Sequence, residues 1–179
     1  MDTLYLFPTA EEAVGLLAWR ADLEPKVGII GVGMAEAAAE AARLITLHHP
    51  RRVVLCGIAG ACGLDLRVGN VVQVESDRVA GLPERYSVEY RSLGIEGLRR
   101  VESLSVSGTG ESRTDDAEHT LPLIEQMEGA AVAAVCRKLG VEEYYHLRAI
   151  SNHIDTPFSE WRIAQAVEAL GRFVAKLEF

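Results

Sequence analysis

Two short apolar runs, residues 26–30 and 52–56, constrain the fold more than anything else in this chain. Neither alternates polar with apolar residues, so strands made from them need cover on both faces, as in a sheet flanked by helices. Small residues follow each run: Gly31-Val32-Gly33 after the first, Gly57-Ile58-Ala59-Gly60 after the second. Residues 34–48 are Ala-rich and predict a helix ending at His48-His49. Ahead of them, Thr3–Phe7 is a β-branched and aromatic run stopped by Pro8. Thr9 is placed to N-cap a helix over 10–20, with Glu11 and Glu12 in the first turn, where the dipole favours anions. The alternation returns later: a helix over 128–139 capped by Gly140, a strand over 144–150, and a final helix N-capped by Ser159. Between these halves, strands over 70–75, 86–91 and 104–107 follow one another without a helix, and 108–116 reads as a polar loop. The pattern is that of an α/β domain whose sheet is in part antiparallel.

With 179 residues, 49% of them hydrophobic and 25% charged, the chain is sized for one domain with its own core, residues 1–179, and it carries no repeat or linker. A net charge of −8 argues against a nucleic-acid or acidic-membrane surface. No apolar run approaches the roughly 20 residues of a membrane span, and no basic residue precedes Arg20, as a signal peptide would require. Cys56, Cys62 and Cys136 form no C-x-x-C pair and read as buried thiols in a reducing, cytoplasmic setting. The histidines lack metal-ligand spacing, so no metal or cofactor is expected. Glu36 stands where a dinucleotide fingerprint would need its third glycine, and would face a pyrophosphate with the wrong sign.

Three segments concentrate unusual residues. Gly57-Ile58-Ala59-Gly60-Ala61-Cys62-Gly63 suits either a packed crossover loop or close backbone approach to a planar ligand at a strand end. Gln126-Met127-Glu128-Gly129-Ala130-Ala131 sets a carboxylate at the start of an apolar helix, either as a dipole partner or reaching into a narrow cleft. Arg148-Ala149-Ile150-Ser151-Asn152 is a strand end entering a polar loop.

The order of these motifs, with Leu66-Arg67-Val68-Gly69-Asn70-Val71-Val72 between them, resembles the purine nucleoside phosphorylase and nucleosidase superfamily over nearly the whole chain. Within it the sequence is most similar to futalosine hydrolases, nucleosidases of an alternative menaquinone pathway, on Gly57-Ile58-Ala59-Gly60, Val106-Ser107-Gly108, Met127-Glu128-Gly129-Ala130-Ala131, Ile150-Ser151-Asn152 and Trp161. The methylthioadenosine/S-adenosylhomocysteine nucleosidases are a more distant match. The resemblance implies a three-layer α/β sandwich with a mixed central sheet flanked by helices, and a homo-oligomer acting on a small-molecule purine nucleoside. It assigns Glu128 to the ribose hydroxyls, Met127 to packing on the sugar and Asn152 to the base. Ile58, Ala59, Gly60, Gln126 and Ser151 would complete the substrate site. An amide at 152, where adenine-specific relatives carry an aspartic acid, pairs with the N7 edge and 6-oxo group of a hypoxanthine-type base.

Family phosphorylases hold phosphate with arginines in the first and third strand loops. Here those loops read Phe7-Pro8-Thr9-Ala10 and Leu55-Cys56-Gly57-Ile58, without an arginine. The resemblance therefore implies water as nucleophile, served by Glu12, with Glu11 as its one-residue alternative, and Arg148 bracing the loop in a buried charge pair. The chain is short for the family: residues 22–26 join the first helix directly to the next strand, and 81–100 is abbreviated. Thr109-Gly110-Glu111 supplies no aromatic residue to stack on a base, a place that Phe158 or Trp161 could fill. The expected activity is hydrolysis of a 6-oxopurine nucleoside. A phosphorylase, or a nucleoside-binding homologue without turnover, is the alternative.

Overall fold

The computed structural model describes residues 1–110 and 119–178. Its elements are β1 (Thr3–Phe7), α1 (Ala10–Leu17), β2 (Val27–Ile29), α2 (Met34–His48), β3 (Arg52–Ala61), β4 (Val71–Val79), β5 (Tyr90–Arg91), β6 (Arg100–Ser105), β7 (Leu123–Gln126), α3 (Gly129–Leu139), β8 (Glu143–His153) and α4 (Ile163–Val174). One mixed sheet contains all the strands. β2, β1, β3 and β8 run parallel in that order; β4 joins β8 antiparallel, and β6 and β7 follow in parallel. β7 then pairs antiparallel with the far end of β3, so β3, β8, β4, β6 and β7 form a closed circuit. Closure removes strand edges that would otherwise stay unpaired.

The parallel strands are covered on both faces, as their non-alternating sequences require. Leu4 and Leu6 of β1 and Val53 and Leu55 of β3 face Ala37, Ala41, Leu44, Val132 and Cys136 of α2 and α3. The intervening Tyr5, Phe7, Val54 and Cys56 face Ala13, Leu16, Ala166 and Leu170 of α1 and α4. The second helix pair crosses at glycines: a Cβ on Gly171 would lie 2.0 Å from the Gly15 carbonyl carbon, and one on Gly15 2.2 Å from the Val167 oxygen. A third apolar cluster, with Ala59, Val72, Val74, Val101 and Ile124, belongs to the closed circuit.

Thr9 caps α1 as expected, its hydroxyl accepting from the Glu12 N–H, and Gly140 ends α3 in the left-handed region at φ 71°. Four differences matter. β3 does not stop at Cys56 but continues through Gly57-Ile58-Ala59-Gly60, because those residues pair with β8 and β7. The crossover-loop reading of that segment is therefore corrected. Leu123–Gln126 is a strand that its polar end concealed, whereas the expected strand over 86–91 shrinks to Tyr90–Arg91. Ser159 does not cap α4: it lies in a 3-10 turn, Phe158–Glu160, and the helix begins at Ile163, where the Arg162 N–H is already taken by the Ser151 carbonyl. The expected polar loop over 108–116 falls largely outside the described residues.

Candidate active site

The carboxyl ends of β1, β3 and β8 open into a cavity of about 410 Å³, where open α/β sheets usually take their ligands. All nine residues assigned from sequence line it: Glu12, Ile58, Ala59 and Gly60 from the first half of the chain, and Gln126, Met127, Glu128, Ser151 and Asn152 from the second. Phe158 and Trp161 also reach it, their rings 5.0 Å apart.

Glu128 precedes α3 and is 3% exposed. One carboxylate oxygen accepts from the Gly33 N–H at 3.0 Å, and the other accepts from both terminal nitrogens of Arg148 at 3.2 Å. The Gly31-Val32-Gly33 turn, with φ of 80° and 88° at its glycines, thus aims a backbone donor at this carboxylate. Arg148 is buried, and each of its five N–H groups has a partner: His146 Nε2, the Ile58 carbonyl, Gln126 Oε1 and Glu128 twice. It braces the site and has no donor left over.

Glu12 is buried and Glu11 is exposed, although both border the cavity. The Glu12 carboxylate accepts from the Ile58 N–H at 2.9 Å and from the Thr9 hydroxyl at 3.0 Å. Burial raises its pKa, with the Glu128 charge acting in the same sense, while Arg148 and the two hydrogen bonds pull it down. Gly57 makes this arrangement possible: a Cβ there would lie 2.5 Å from Arg148 Nη1 and 2.9 Å from Glu12 Oε2.

At the other end, the β3–β8 register shifts between Ala59 and Gly60, leaving Ser151 as an extra residue. Such a bulge re-aims neighbouring side chains. Ser151 donates to Asn152 Oδ1 at 2.7 Å, and Asn152 Nδ2 donates to the His153 carbonyl at 3.0 Å. One amide N–H and one Oδ1 lone pair remain to Asn152. Glu125 flanks the same glycine, since a Cβ on Gly60 would meet Asn152 Nδ2 at 3.1 Å and Glu125 Cγ at 3.4 Å. Sequence reasoning missed Glu125, whose only signal was its place two residues before Met127.

Gln126 lines the cavity, but its amide is engaged inside the protein. Its oxygen accepts from the Glu128 and Gly129 N–H groups, and its nitrogen donates to Asp77, Ser103 and Ser105. Its side chain therefore holds the start of α3. Among the described residues no group of histidine, cysteine and acidic side chains could hold a metal, and no helix is long and apolar enough to cross a membrane.

No protein-family model matches the chain. A futalosine hydrolase of Thermus thermophilus is 31% identical over 217 aligned positions, covering 97% of this chain and 94% of that protein. A 5'-methylthioadenosine/S-adenosylhomocysteine nucleosidase of Chromohalobacter salexigens is 29% identical over 151 positions, 68% of this chain and 64% of that one, just under two thirds of its length. Among solved structures, a futalosine hydrolase mutant of Helicobacter pylori superposes with a TM-score of 0.77 at 15% identity, each chain covered to 97%. A 5'-methylthioadenosine/S-adenosylhomocysteine nucleosidase of Neisseria meningitidis gives 0.74 at 18% identity, covering 99% of this chain and all of that one. At these identities the structural likeness speaks for the fold.

Proposed function

The chain belongs to the purine nucleoside phosphorylase/nucleosidase superfamily and is an N-ribosyl hydrolase, and on that premise we propose that it hydrolyses a 6-oxopurine nucleoside in the manner of a futalosine hydrolase. The carrying observation is the facing of two buried carboxylates, Glu12 and Glu128, and the Asn152 amide across one cavity.

Cleaving a purine N-glycosidic bond builds positive charge on the ribose and negative charge on the departing base, and a site accelerates it by favouring both. Glu128, held by Gly33 and Arg148, accepts the ribose hydroxyls and faces the cationic sugar, with Met127 packed on the ring. Glu12 orients a water and takes its proton as the water adds to the anomeric carbon. Its raised pKa makes it a stronger base than an ordinary carboxylate.

Water rather than phosphate fits the electrostatics. Arg148 is the one cationic side chain among the described residues lining the cavity, and it is paired with Glu128. A phosphate dianion there would meet Glu11, Glu12 and Glu128 with no unpaired cationic side chain among the described lining residues to hold it.

The base end favours a 6-oxopurine. The Asn152 N–H matches the 6-oxo group, and its carbonyl accepts a hydrogen bond from the N7–H that forms when solvent water protonates the departing base. The Glu125 carboxylate suits the N1–H of an oxopurine and opposes the N1 lone pair of adenine. The test is relative kcat/KM on inosine, futalosine, adenosine and methylthioadenosine. The oxopurine nucleosides should be preferred, and preference for either adenine nucleoside overturns the base assignment. In this reading the single domain, residues 1–179, is a shortened form of the family fold acting in the cytoplasm as a homo-oligomer. Gel filtration or light scattering tests the last point.

A further inference from the structure

Behind the Arg148–Glu128 pair lies a second buried polar cluster, of whose members only Gln126 borders the cavity. It gathers Asp77 of β4, Ser105 of β6, Gln126 of β7 and His146 of β8 beneath the first turn of α3. All four are at most 4% exposed. Room for them comes from Gly129: a Cβ at that position would lie 2.1 Å from Asp77 Oδ2 and 2.3 Å from His146 Cε1. Ser105 donates to Asp77 and accepts from the Ala130 N–H at 2.8 Å, tying the cluster to the helix start.

Arg148 can only donate, so its 2.8 Å bond from Nε to His146 Nε2 requires that this ring nitrogen be unprotonated. The ring hydrogen then sits on Nδ1, which faces Asp77 Oδ2 at 3.9 Å. We propose that His146 is a positioning residue for the nucleosidase reaction: as a neutral Nδ1–H imidazole it fixes the plane of the Arg148 guanidinium, and through it the Glu128 carboxylate, the Arg148 Nε–H selecting the tautomer. Burial, then the Arg148 charge, hold the His146 pKa well below its ordinary value, in keeping with that neutral form. The charged or titratable groups around the ring are Arg148 and Tyr144 on its own strand, Asp77 from β4 and Glu128 at the head of α3. Removing the imidazole acceptor leaves the Arg148 Nε–H buried without a partner, which favours a tilted guanidinium and a displaced Glu128.

The inference rests on the proposed nucleosidase activity, so its test has one arm that needs turnover and one that does not. His146→Leu removes the acceptor; His146→Gln restores one near the Nε2 position. The leucine variant should lose about 10- to 100-fold in kcat with KM nearly unchanged, and the glutamine variant should recover most of that loss. A leucine variant within about twofold of the parent enzyme, or a folded glutamine variant as impaired as leucine, overturns the proposal. Long-range proton–nitrogen spectra of the unaltered protein provide the second arm, the His146 signals being assigned by their loss in the glutamine variant. They should show Nδ1 protonated and Nε2 bare from about pH 5.5 to 8.5. The opposite tautomer, or an imidazolium in that range, overturns the proposal even if no nucleoside is cleaved. Absence of base release with the expected tautomer sinks the nucleosidase reading instead.

Discussion

The two ends of the cavity are held in different ways. At the carboxylate end, Glu128 is bound by a backbone N–H from the α2 turn and twice by Arg148, which is itself anchored on β3, β7 and β8. Glu12 is bound by β3 and by its own helix cap. At the amide end, Asn152 is held by its immediate neighbours Ser151 and His153. The difference suits two tasks. Charges that stabilise a transition state must stay fixed while it forms, so they draw on several elements. Base selection needs only a donor and an acceptor at a strand end, and a local bulge can adjust those without disturbing the rest.

The largest predicted effect tests the rigid end. Glu128→Gln keeps the side chain's shape but removes the charge and one of the two acceptors that Gly33 and Arg148 use, and kcat should fall about 10²- to 10³-fold, a larger loss than that in folding stability. Unchanged turnover would erase the contrast between the ends. Glu12→Gln should cost about 10²-fold and alter the pH profile. The carboxylate must be ionised to take a proton, and its pKa is raised, so activity of the unaltered enzyme should fall as pH drops through that raised value. The Gln variant should lack this acid limb; a profile that keeps it assigns the limb to another group.

Asn152→Asp probes the other end. Preference should move toward adenine nucleosides by about 10-fold while the best kcat changes less, and an unmoved base preference would remove Asn152 as the base reader. The smallest effect lies behind the carboxylates. Burial raises the Asp77 pKa from 3.8 to about 7, so its contribution to stability is present below pH 3.8 and lost as pH rises through about 7. Asp77→Asn should flatten the fall in thermal midpoint between about pH 4 and 7. Parallel curves for the two proteins would show that Asp77 is not the titrating group.

Much of the fold was legible because local and tertiary signals agree. Thr9 caps a helix wherever it sits, and short apolar strands demand cover on both faces. β3 ran further than its sequence suggested because glycine-rich residues pair well once β7 and β8 flank them, a condition no local pattern reports. Ser159 looked like a cap, but the chain there turns through Phe158–Glu160 and α4 starts later. In the site, the nine residues named from sequence all reach one cavity. Their supports did not announce themselves: Gly33 read only as a turn, and Asp77 and His146 lie on strands far apart in sequence. Their meaning comes from Gly129, whose missing Cβ lets them meet.

The central claim is attack by water within a site whose cationic group is already paired. Free base released from inosine or futalosine in phosphate-free buffer, at a rate unchanged when phosphate is added, is the predicted result. Release that depends strictly on phosphate, with ribose 1-phosphate as the sugar product, would contradict it.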